Sequence, residues 1–231
     1  MGMFLRRGPA PHRTRLSDLE IGQTIKLNLN GTPWDWLVVH QGLPSSIYDD
    51  SCNGTWLLMK NIYETRAWSS SNSNVYATNT INTYLGGDFL AKFDSNVQNA
   101  IKQVKIPYCV GGGNSTVNSG ANGLPCKVFL LSGYEVGWTT SVDTSFPVDG
   151  AKLDYFESGT GTSANNKRIA YLNGTAKDWW SRSPFVYNGY QTIFIAQEGY
   201  WAYTYTAYPS GIRPALVLPS DFIVSEEMLA A

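Results

Sequence analysis

The stretch that decides the fold is residues 179–218, WWSRSPFVYNGYQTIFIAQEGYWAYTYTAYPSGIRPALVL. It opens with Trp179-Trp180-Ser-Arg-Ser-Pro and closes with Gly211-Ile-Arg-Pro-Ala-Leu. Between these motifs, the 25 residues from Val186 to Ser210 contain a single charged residue, Glu198. Six of the 14 tyrosines of the chain fall in the same interval: Tyr187, Tyr190, Tyr200, Tyr203, Tyr205 and Tyr208. The pattern predicts a stiff frame on both sides of an aromatic, nearly uncharged segment.

Residues 190–196 alternate in the way expected of a β-strand, whose successive side chains point to opposite faces. Ile193 and Ile195 are predicted to face the core, and the alternate positions to face outward: Tyr190, Thr192, Phe194 and Ala196. Beyond Gly199, Tyr203 and Tyr205 share a face. Such an arrangement is open to two interpretations, namely aromatic pairing that only stabilises a hairpin and a surface that binds another molecule.

The composition favours the binding surface. A structural outer face is normally kept soluble by Lys, Glu and Thr, whereas this segment combines Tyr and Trp with Ser, Gly, Asn and Thr. Aromatic side chains supply contact area at little conformational-entropy cost, and the small polar residues supply adaptable hydrogen bonds, as in an antibody paratope.

In the N-terminal part of the chain, the sequence predicts an antiparallel hairpin over residues 16–40. Thr24-Ile-Lys-Leu-Asn-Leu alternates with period two, Asn30-Gly31 forms a turn, and a return strand follows with Trp34, Trp36 and Val38. Trp56-Leu-Leu-Met and Val128-Phe-Leu-Leu are further short apolar strands.

Two amphipathic helices are predicted to pack on this sheet. The first runs from Thr78 to Phe89 and ends at Gly86-Gly87. The second begins at Asp94 or Ser95 and carries Val97, Ile101 and Val104 at helical spacing. The Gly/Ser/Asn stretch from Val110 to Pro125 is predicted to be a mobile loop, because it lacks the Gly-Lys-Ser/Thr of a phosphate-binding loop.

The closing motif, Trp179-Trp180-x-Arg-Ser-Pro followed by Gly199 and then Gly-Ile-Arg-Pro-Ala-Leu, resembles that of bacterial and phage proteins with the C-type lectin fold. These proteins are relatives of the formylglycine-generating enzymes, and the variable proteins of diversity-generating retroelements are the most similar group. Asn79 to Phe93, Ile106-Pro107 and Phe129-Leu-Leu-Ser are weaker points of similarity. The resemblance implies an α+β, C-type lectin-like fold, with two helices packed on a twisted antiparallel sheet and long loops.

Carried over to this chain, the resemblance assigns residues to a constant frame and to a displayed surface. The frame residues are Trp179, Trp180, Arg182, Ser183, Pro184, Gly199, Gly211, Arg213 and Pro214. The ligand-binding positions are Tyr187, Asn188, Tyr190, Thr192, Phe194, Glu198, Tyr200, Trp201, Tyr203, Tyr205 and Tyr208. Arg213 is expected to be buried and to bond loop carbonyls through its five donors.

The function implied is that of a non-catalytic, hypervariable adhesin or phage receptor-binding protein. Its partner is a protein or glycan on a cell surface, and its place is the virion, on the phage tail, or the bacterial cell surface. Association into a homo-oligomer, or attachment to a larger assembly through the N-terminal arm, is left open. Two alternatives stay open: a carbohydrate-active or formylglycine-generating-like enzyme, and a structural assembly protein. The first requires convergent carboxylates or a metal, and the second requires the aromatic face to be buried against copies of the chain.

Motifs for chemistry are sparse. Only two histidines occur, and no His, Cys and carboxylate set has zinc spacing, so no metal and no cofactor is predicted. A glycosidase needs two flanking carboxylates, but nothing in the spacing pairs any two of Glu64, Glu135, Glu157, Asp178 and Glu198. The late cysteines of the formylglycine-generating enzymes and the calcium motifs of sugar-binding lectins are also absent from the sequence.

Net charge and hydropathy argue against two kinds of partner, nucleic acid and the membrane interior. A net charge of −1 does not suit nucleic-acid binding, and no apolar run reaches the roughly 20 residues that cross a bilayer. One domain is predicted over residues 16–231, with a display segment at about 186–210. Residues 1–15, which contain four arginines, have no apolar core of a signal peptide and are predicted to be a flexible arm, an attachment to a larger assembly, or a frayed terminus.

The three cysteines leave one alternative open. Cys109 and Cys126 flank the Gly-rich stretch, so a disulfide would close it. Without a secretion signal, free buried thiols are favoured at all three positions, Cys52 included.

Overall fold

The computed structural model describes residues 13–139 and 144–229. Most of the predicted arm, residues 1–12, lies outside the described residues. The strands in chain order are β1 (Thr24–Leu29), β2 (Thr32–Gly42), β3 (Gly54–Met59), β4 (Glu64–Ala67), β5 (Val104–Ile106), β6 (Tyr108–Gly111), β7 (Asn114–Asn118), β8 (Leu124–Cys126), β9 (Val128–Phe129), β10 (Tyr171–Leu172), β11 (Thr175–Ala176), β12 (Trp179–Pro184), β13 (Gln191–Ile195), β14 (Trp201–Tyr205), β15 (Pro209–Ile212) and β16 (Ala215–Leu218).

Two five-stranded sheets organise these strands. The first has the order β1-β2-β3-β16-β9 and the second the order β14-β13-β12-β15-β4. Neighbouring strands are antiparallel except for β12 and β15, which run parallel and pair at Trp179 and Gly211. Because β15 and β16 are adjacent in the chain but lie in different sheets, the closing motif connects the two sheets.

The N-terminal hairpin is confirmed. β1 pairs with β2 from Thr24–Leu37 to Leu29–Thr32. The turn residues Asn30 and Gly31 have φ values of 51° and 76°, as a two-residue hairpin turn with positive φ at both central positions requires. The strand predicted at Trp56 is also present, as β3.

The predicted α+β fold, with two helices packed on a twisted antiparallel sheet as in a C-type lectin-like fold, is wrong. Strands make up 36% of the structure and helical conformations 17%, and the one substantial helical run has 13 residues. That run begins as α1 (Thr80–Tyr84), continues as a π-helical turn (Leu85–Phe89) and ends as a 3-10 turn (Leu90–Lys92). It passes through the Gly86-Gly87 pair, where the sequence predicted a helix end.

The second predicted helix shrinks to α2 (Ser95–Ala100). The chain leaves helical geometry at Ile101, and Val104 pairs with Cys126 in the β5–β8 ribbon. The apolar residues at helical spacing therefore belong to two different elements, a short helix that contains Val97 and a strand that contains Val104. A third short helix, α3 (Thr162–Asn166), lies beneath the C-terminal hairpin.

The Gly-rich stretch predicted to be a mobile loop is instead a β-hairpin followed by a short ribbon strand. β6 pairs with β7 across a turn containing Gly112 and Gly113, and β8 follows a 3-10 turn at Gly120–Asn122. Cys52, Cys109 and Cys126 are free buried thiols. Burial raises the pKa of Cys52 and of Cys109 to about 12.

Within the described residues, no helix has the length and apolar character needed to cross a bilayer.

One hydrophobic core joins both sheets, and six fully buried tryptophans belong to it: Trp36, Trp56, Trp68, Trp138, Trp179 and Trp180.

The closing motif is packed closely at Gly211. A Cβ placed there would lie 2.7 Å from the Asp178 carbonyl oxygen and 2.8 Å from an Ile62 side-chain carbon. Real Cβ atoms do not approach so closely, so the parallel contact between β12 and β15 depends on a residue without a side chain.

Candidate ligand-binding surface

Most of the exposed aromatic residues lie along one edge of the second sheet. β13 and β14 form a hairpin, and β14 is the edge strand. Seven of the nine aromatic side chains on this hairpin, the loop before β13 and the turn after β14 form what we call the aromatic strip: Phe185, Tyr187, Tyr190, Trp201, Tyr203, Tyr205 and Tyr208. Phe185 and Trp201 are half-buried, and the five tyrosines are 44–66% exposed.

The strip is held together by ring contacts. Tyr203 stacks on Phe185 with 4.1 Å between centroids, and Tyr205 stacks on Tyr190 at 5.7 Å. Trp201 packs edge-on against the buried Phe146 at 5.0 Å. The strip is therefore continuous with the core at Trp201, and its outer rings are exposed to solvent.

The pairing register places the strip on a different face from the one predicted. Ile193 pairs with Tyr203 and Ile195 with Trp201, so the rings of β14 share a face with the two isoleucines. The isoleucines are buried because β13 is an inner strand, and the tyrosines are exposed because β14 is the edge.

Two residues predicted to face outward are buried. Thr192 has no exposed surface, and its hydroxyl donates to the Ser183 carbonyl at 2.8 Å. Ala196 is 5% exposed. Thr192 therefore does not belong to a surface that contacts a ligand, because both faces of β13 are covered at that position.

Phe194 lies on the opposite face of the hairpin from the strip. It lines a shallow cleft of about 430 Å³ together with Asp178, Gln197, Thr204 and Tyr208. Tyr208 also contacts Tyr205 edge-on at 5.9 Å, so this member of the strip borders the cleft as well. The remaining predicted positions, Asn188, Glu198, Tyr200 and Trp201, are at least partly exposed.

Asn74 fixes the loop that carries Tyr187 and Tyr190. It is fully buried, and its amide nitrogen lies 3.3, 2.9 and 2.7 Å from the carbonyl oxygens of Phe185, Asn188 and Gln191. Its backbone N–H donates to the Gly189 carbonyl at 2.9 Å. Sequence reasoning missed this residue, since nothing near Asn74 in the chain signals a contact more than 100 positions away.

The turn between β13 and β14 is fixed from the other side. Gly199 has a φ of 82°, and a Cβ there would lie 2.1 Å from the Asn165 carbonyl oxygen of α3. The Gln197 N–H donates to the Asp178 carboxylate at 2.8 Å. Gly199 is thus required twice, for its positive φ and for the close approach of α3.

Beneath the hairpin, Arg182 of β12 is buried with every donor satisfied. It forms two hydrogen bonds to the Glu135 carboxylate, at 2.5 and 2.7 Å. Its remaining donors reach the carbonyls of Pro107, Leu130 and Asp149 at 2.8–3.1 Å. Burial opposes the charged guanidinium, but the Glu135 charge outweighs it and raises the pKa of Arg182.

Asp149 adds a second carboxyl to this buried cluster. The Ser183 hydroxyl donates to it at 2.8 Å, and the same hydroxyl accepts from the Gly133 N–H at 2.9 Å. Since Glu135 already balances Arg182, an ionised Asp149 leaves an excess negative charge in the core. Burial raises its pKa from the ordinary 3.8 to about 7.

Arg213 is buried, as expected of a frame residue, but only two of its five donors bond carbonyls, and its buried Nη1 has no hydrogen-bond partner among the described residues. It donates to the carbonyls of Met59 and Lys60 at 2.8 and 3.0 Å and lies over the Trp179 ring at 4.9 Å. It therefore connects the two sheets at the point where the closing motif passes from one to the other.

Of the five carboxylates considered for glycosidase chemistry, three bond different arginine or lysine residues, and the other two both bond Gln197. Glu135 bonds Arg182, Glu64 pairs with Arg66 at 2.9 Å, and Glu157 pairs with Lys167 at 3.2 Å. Asp178 caps the hairpin turn, and Glu198 accepts from the Gln197 side chain.

The ring of His40 lies 2.8 Å from the Asp154 carboxylate. Among residues 13–139 and 144–229, no group of three or more potential metal ligands is present.

No curated protein and no solved structure gives a significant match to this chain. One family model does match, and it covers residues 53–220, from the start of β3 to just beyond β16. The matched region includes the aromatic strip, Asn74, Glu135 and the closing motif. Since this match covers well over half of the chain, the protein belongs to the family described as a domain of unknown function, DUF6273.

Proposed function

We propose that this protein is a non-catalytic display protein, which binds a partner molecule through the aromatic strip on its C-terminal hairpin. The observation that carries the proposal is the combination of five exposed tyrosines with a closely bonded support. Asn74 bonds the loop before β13, Gly199 packs against α3, and the Arg182–Glu135 pair lies in the interior at β12, the strand next to β13.

Physical chemistry supports binding at such a surface. A ring already ordered by its neighbours loses little rotational freedom when a ligand covers it, so more of the contact energy appears as affinity. The strip also lacks charged side chains, and covering it therefore does not require stripping water from unpaired charges. One or two central rings would each contribute about 2 kcal/mol or more.

The closing motif carries the proposal further, to a variable protein of a diversity-generating retroelement. The partner would then be a protein or glycan on a cell surface, and the protein would sit on a phage tail or a bacterial surface. Mounting on a multimeric assembly would increase weak single-site binding through multivalency. The neighbouring DNA tests this: a near-copy of the codons for residues 180–215, differing mainly at adenines and lying beside a reverse-transcriptase gene, is expected.

A double variant, Tyr203→Ala with Tyr205→Ala, tests binding by the strip. Fluorescently labelled protein is applied to a panel of bacterial strains, and cell binding is measured by flow cytometry. We expect the variant to lose at least about tenfold in binding, and its Tm to stay within about 3 °C of the parent, because both rings are already half solvated.

Tyr171→Ala is the matched control, since Tyr171 is 45% exposed but lies in β10, away from the strip. It should bind cells like the parent protein. Unchanged binding by the double variant would refute the proposal, and a fall of about 10 °C or more in its Tm would assign the tyrosines to hairpin stability instead.

A further inference from the structure

We infer that the partner presents an extended, uncharged peptide segment, which adds to the edge of β14 as a sixth strand of the second sheet. This inference rests on the proposed function and names the class of partner. It concerns the backbone of β14, whereas the proposed function concerns the side chains of the strip.

The direction of the β14 backbone groups follows from the hairpin register. Ala196 N–H donates to the Tyr200 carbonyl, and Thr206 N–H donates to the Tyr190 carbonyl. Hydrogen-bonded pairs alternate along an antiparallel ladder, so Ala202 and Thr204 direct their backbone groups toward β13. Trp201, Tyr203 and Tyr205 direct theirs away from the sheet.

These outward groups form a row of open positions. The Tyr205 carbonyl accepts from the Tyr208 N–H at 3.1 Å. Within residues 13–139 and 144–229, no strand pairs with β14 on its outer side. The N–H and C=O groups of Trp201 and Tyr203 are therefore available, together with the Tyr205 N–H.

The usual protections of an edge strand are missing here. Native edges are blocked by Lys, Pro, bulges or inward charges, but β14 is Trp-Ala-Tyr-Thr-Tyr. Its pairing with β13 has five consecutive partners without a register shift, whereas β12 and β13 are interrupted between Trp180 and Pro184. A regular, uncharged edge of this kind is a template for another strand.

The charge of the partner follows from the strip. A strand added at β14 would place every second side chain beside Trp201, Tyr203 and Tyr205. Those side chains offer no charge to balance a charged residue, and burying an unpaired charge is costly. The complementary segment is therefore uncharged at alternate positions, with apolar or hydroxyl side chains.

Proline substitution separates the backbone from the side chains. Proline lacks the N–H group and is tolerated at edge strands only where that N–H faces outward. Tyr203→Pro should therefore fold with a Tm near that of Tyr203→Ala, its matched control. Ala202→Pro removes an inward N–H and should lower the Tm markedly. If Tyr203→Pro and Ala202→Pro lower the Tm equally, the assigned direction of the edge is wrong.

The binding probe is a displayed library of random linear nonapeptides, selected on the immobilised full chain. We expect enriched peptides to carry uncharged residues at alternate positions. Their affinity, measured by biolayer interferometry, should fall at least about tenfold further in Tyr203→Pro than in Tyr203→Ala, because the proline removes a main-chain hydrogen bond and blocks close approach of the strand.

The outcomes distinguish this inference from the proposed function. Peptides that bind Tyr203→Pro as well as Tyr203→Ala, or no enrichment at all, overturn the added strand. Cell binding that survives in Tyr203→Pro but is lost in the Tyr203→Ala, Tyr205→Ala double variant overturns it as well and leaves the strip as the binding surface. Edge pairing between two copies of the chain would appear as a dimer that Tyr203→Pro abolishes, and it would replace the peptide as occupant.

Discussion

At the scale of single residues, the decisive group is the buried cluster of Arg182, Glu135 and Asp149. Of the two carboxyls near this guanidinium, only Glu135 bonds it, and Asp149 contacts it through the backbone carbonyl, so the charge of an ionised Asp149 is not balanced. The Ser183 hydroxyl bonds Asp149, but hydrogen bonding does not offset the cost of burying its charge. The cluster therefore favours protonated Asp149 in the folded protein.

This predicts a pH dependence of stability with a defined sign. Because the pKa of Asp149 is about 7 in the folded protein and 3.8 ordinarily, the folded state binds the proton more tightly. The stability contributed by protonated Asp149 is present at low pH and is lost as pH rises from about 4 to about 7. Asp149→Asn keeps the shape without the charge and should flatten this slope, with a relative gain on the order of 3 kcal/mol at pH 8 compared with pH 4.

Urea denaturation of the parent and of Asp149→Asn at about pH 4, 6 and 8 measures the effect. Asp221→Asn changes the net charge equally at an exposed position and serves as the control. Parallel stability curves for the parent and Asp149→Asn would show that Asp149 ionises freely in the fold.

Individual residues also show which parts of the candidate site could be predicted from the amino-acid sequence. The near-absence of charge in residues 186–210, where Glu198 is the single charged residue, was enough to predict exposed tyrosines, because the composition itself carries that signal. It was not enough to place Thr192, which is buried because both faces of β13 are covered at that position. Asn74 and Glu135 were not found as supports, because their roles depend on contacts 47 or more positions away along the chain.

At the scale of elements, the β13–β14 hairpin is fixed at its turn. Gly199 meets α3 so closely that any side chain must displace the Asn165 carbonyl. A glycine of nearly the same φ offers a comparison: Gly174, at 78° between β10 and β11, has open space where a side chain would begin, with no atom within 4 Å.

Alanine at these two glycines should therefore have unequal effects. Gly174→Ala carries only the strain of positive φ, about 1 kcal/mol. Gly199→Ala carries the same strain and a backbone clash, and should cost at least about 2 kcal/mol more in the free energy of unfolding. Chemical denaturation of both variants measures the difference. Equal losses of unfolding free energy would mean that α3 moves away from the new side chain at no cost in stability.

Elements also explain why the predicted helices were wrong. The β1–β2 hairpin was predictable because its alternation and its Asn-Gly turn are local signals. Short apolar runs between residues 78 and 106 carry no such signal, since a helix and a buried strand give similar patterns over a few residues. Pairing with β8, which begins 20 residues further along, turned Val104 into a strand residue.

At the scale of the whole molecule, one core closes over all three cysteines. Cys52, Cys109 and Cys126 are buried, and burial raises each thiol pKa. Thiolates are the reactive form, so reaction with Ellman's reagent should require global opening. We expect fewer than one thiol to react in an hour under native conditions and three in guanidinium. One reactive thiol in guanidinium would show that two of the three cysteines form a disulfide.

The fixed turn at Gly199 has a consequence for how recognition can change. A flexible loop can accept ligands of different shapes, but the turn of this hairpin packs directly against the Asn165 carbonyl. If the strip binds a partner as proposed, a new specificity would come from exchanging the rings, one position at a time, on an unaltered backbone. Members of the family with dissimilar strips should accordingly superpose closely along the hairpin while recognising unrelated targets.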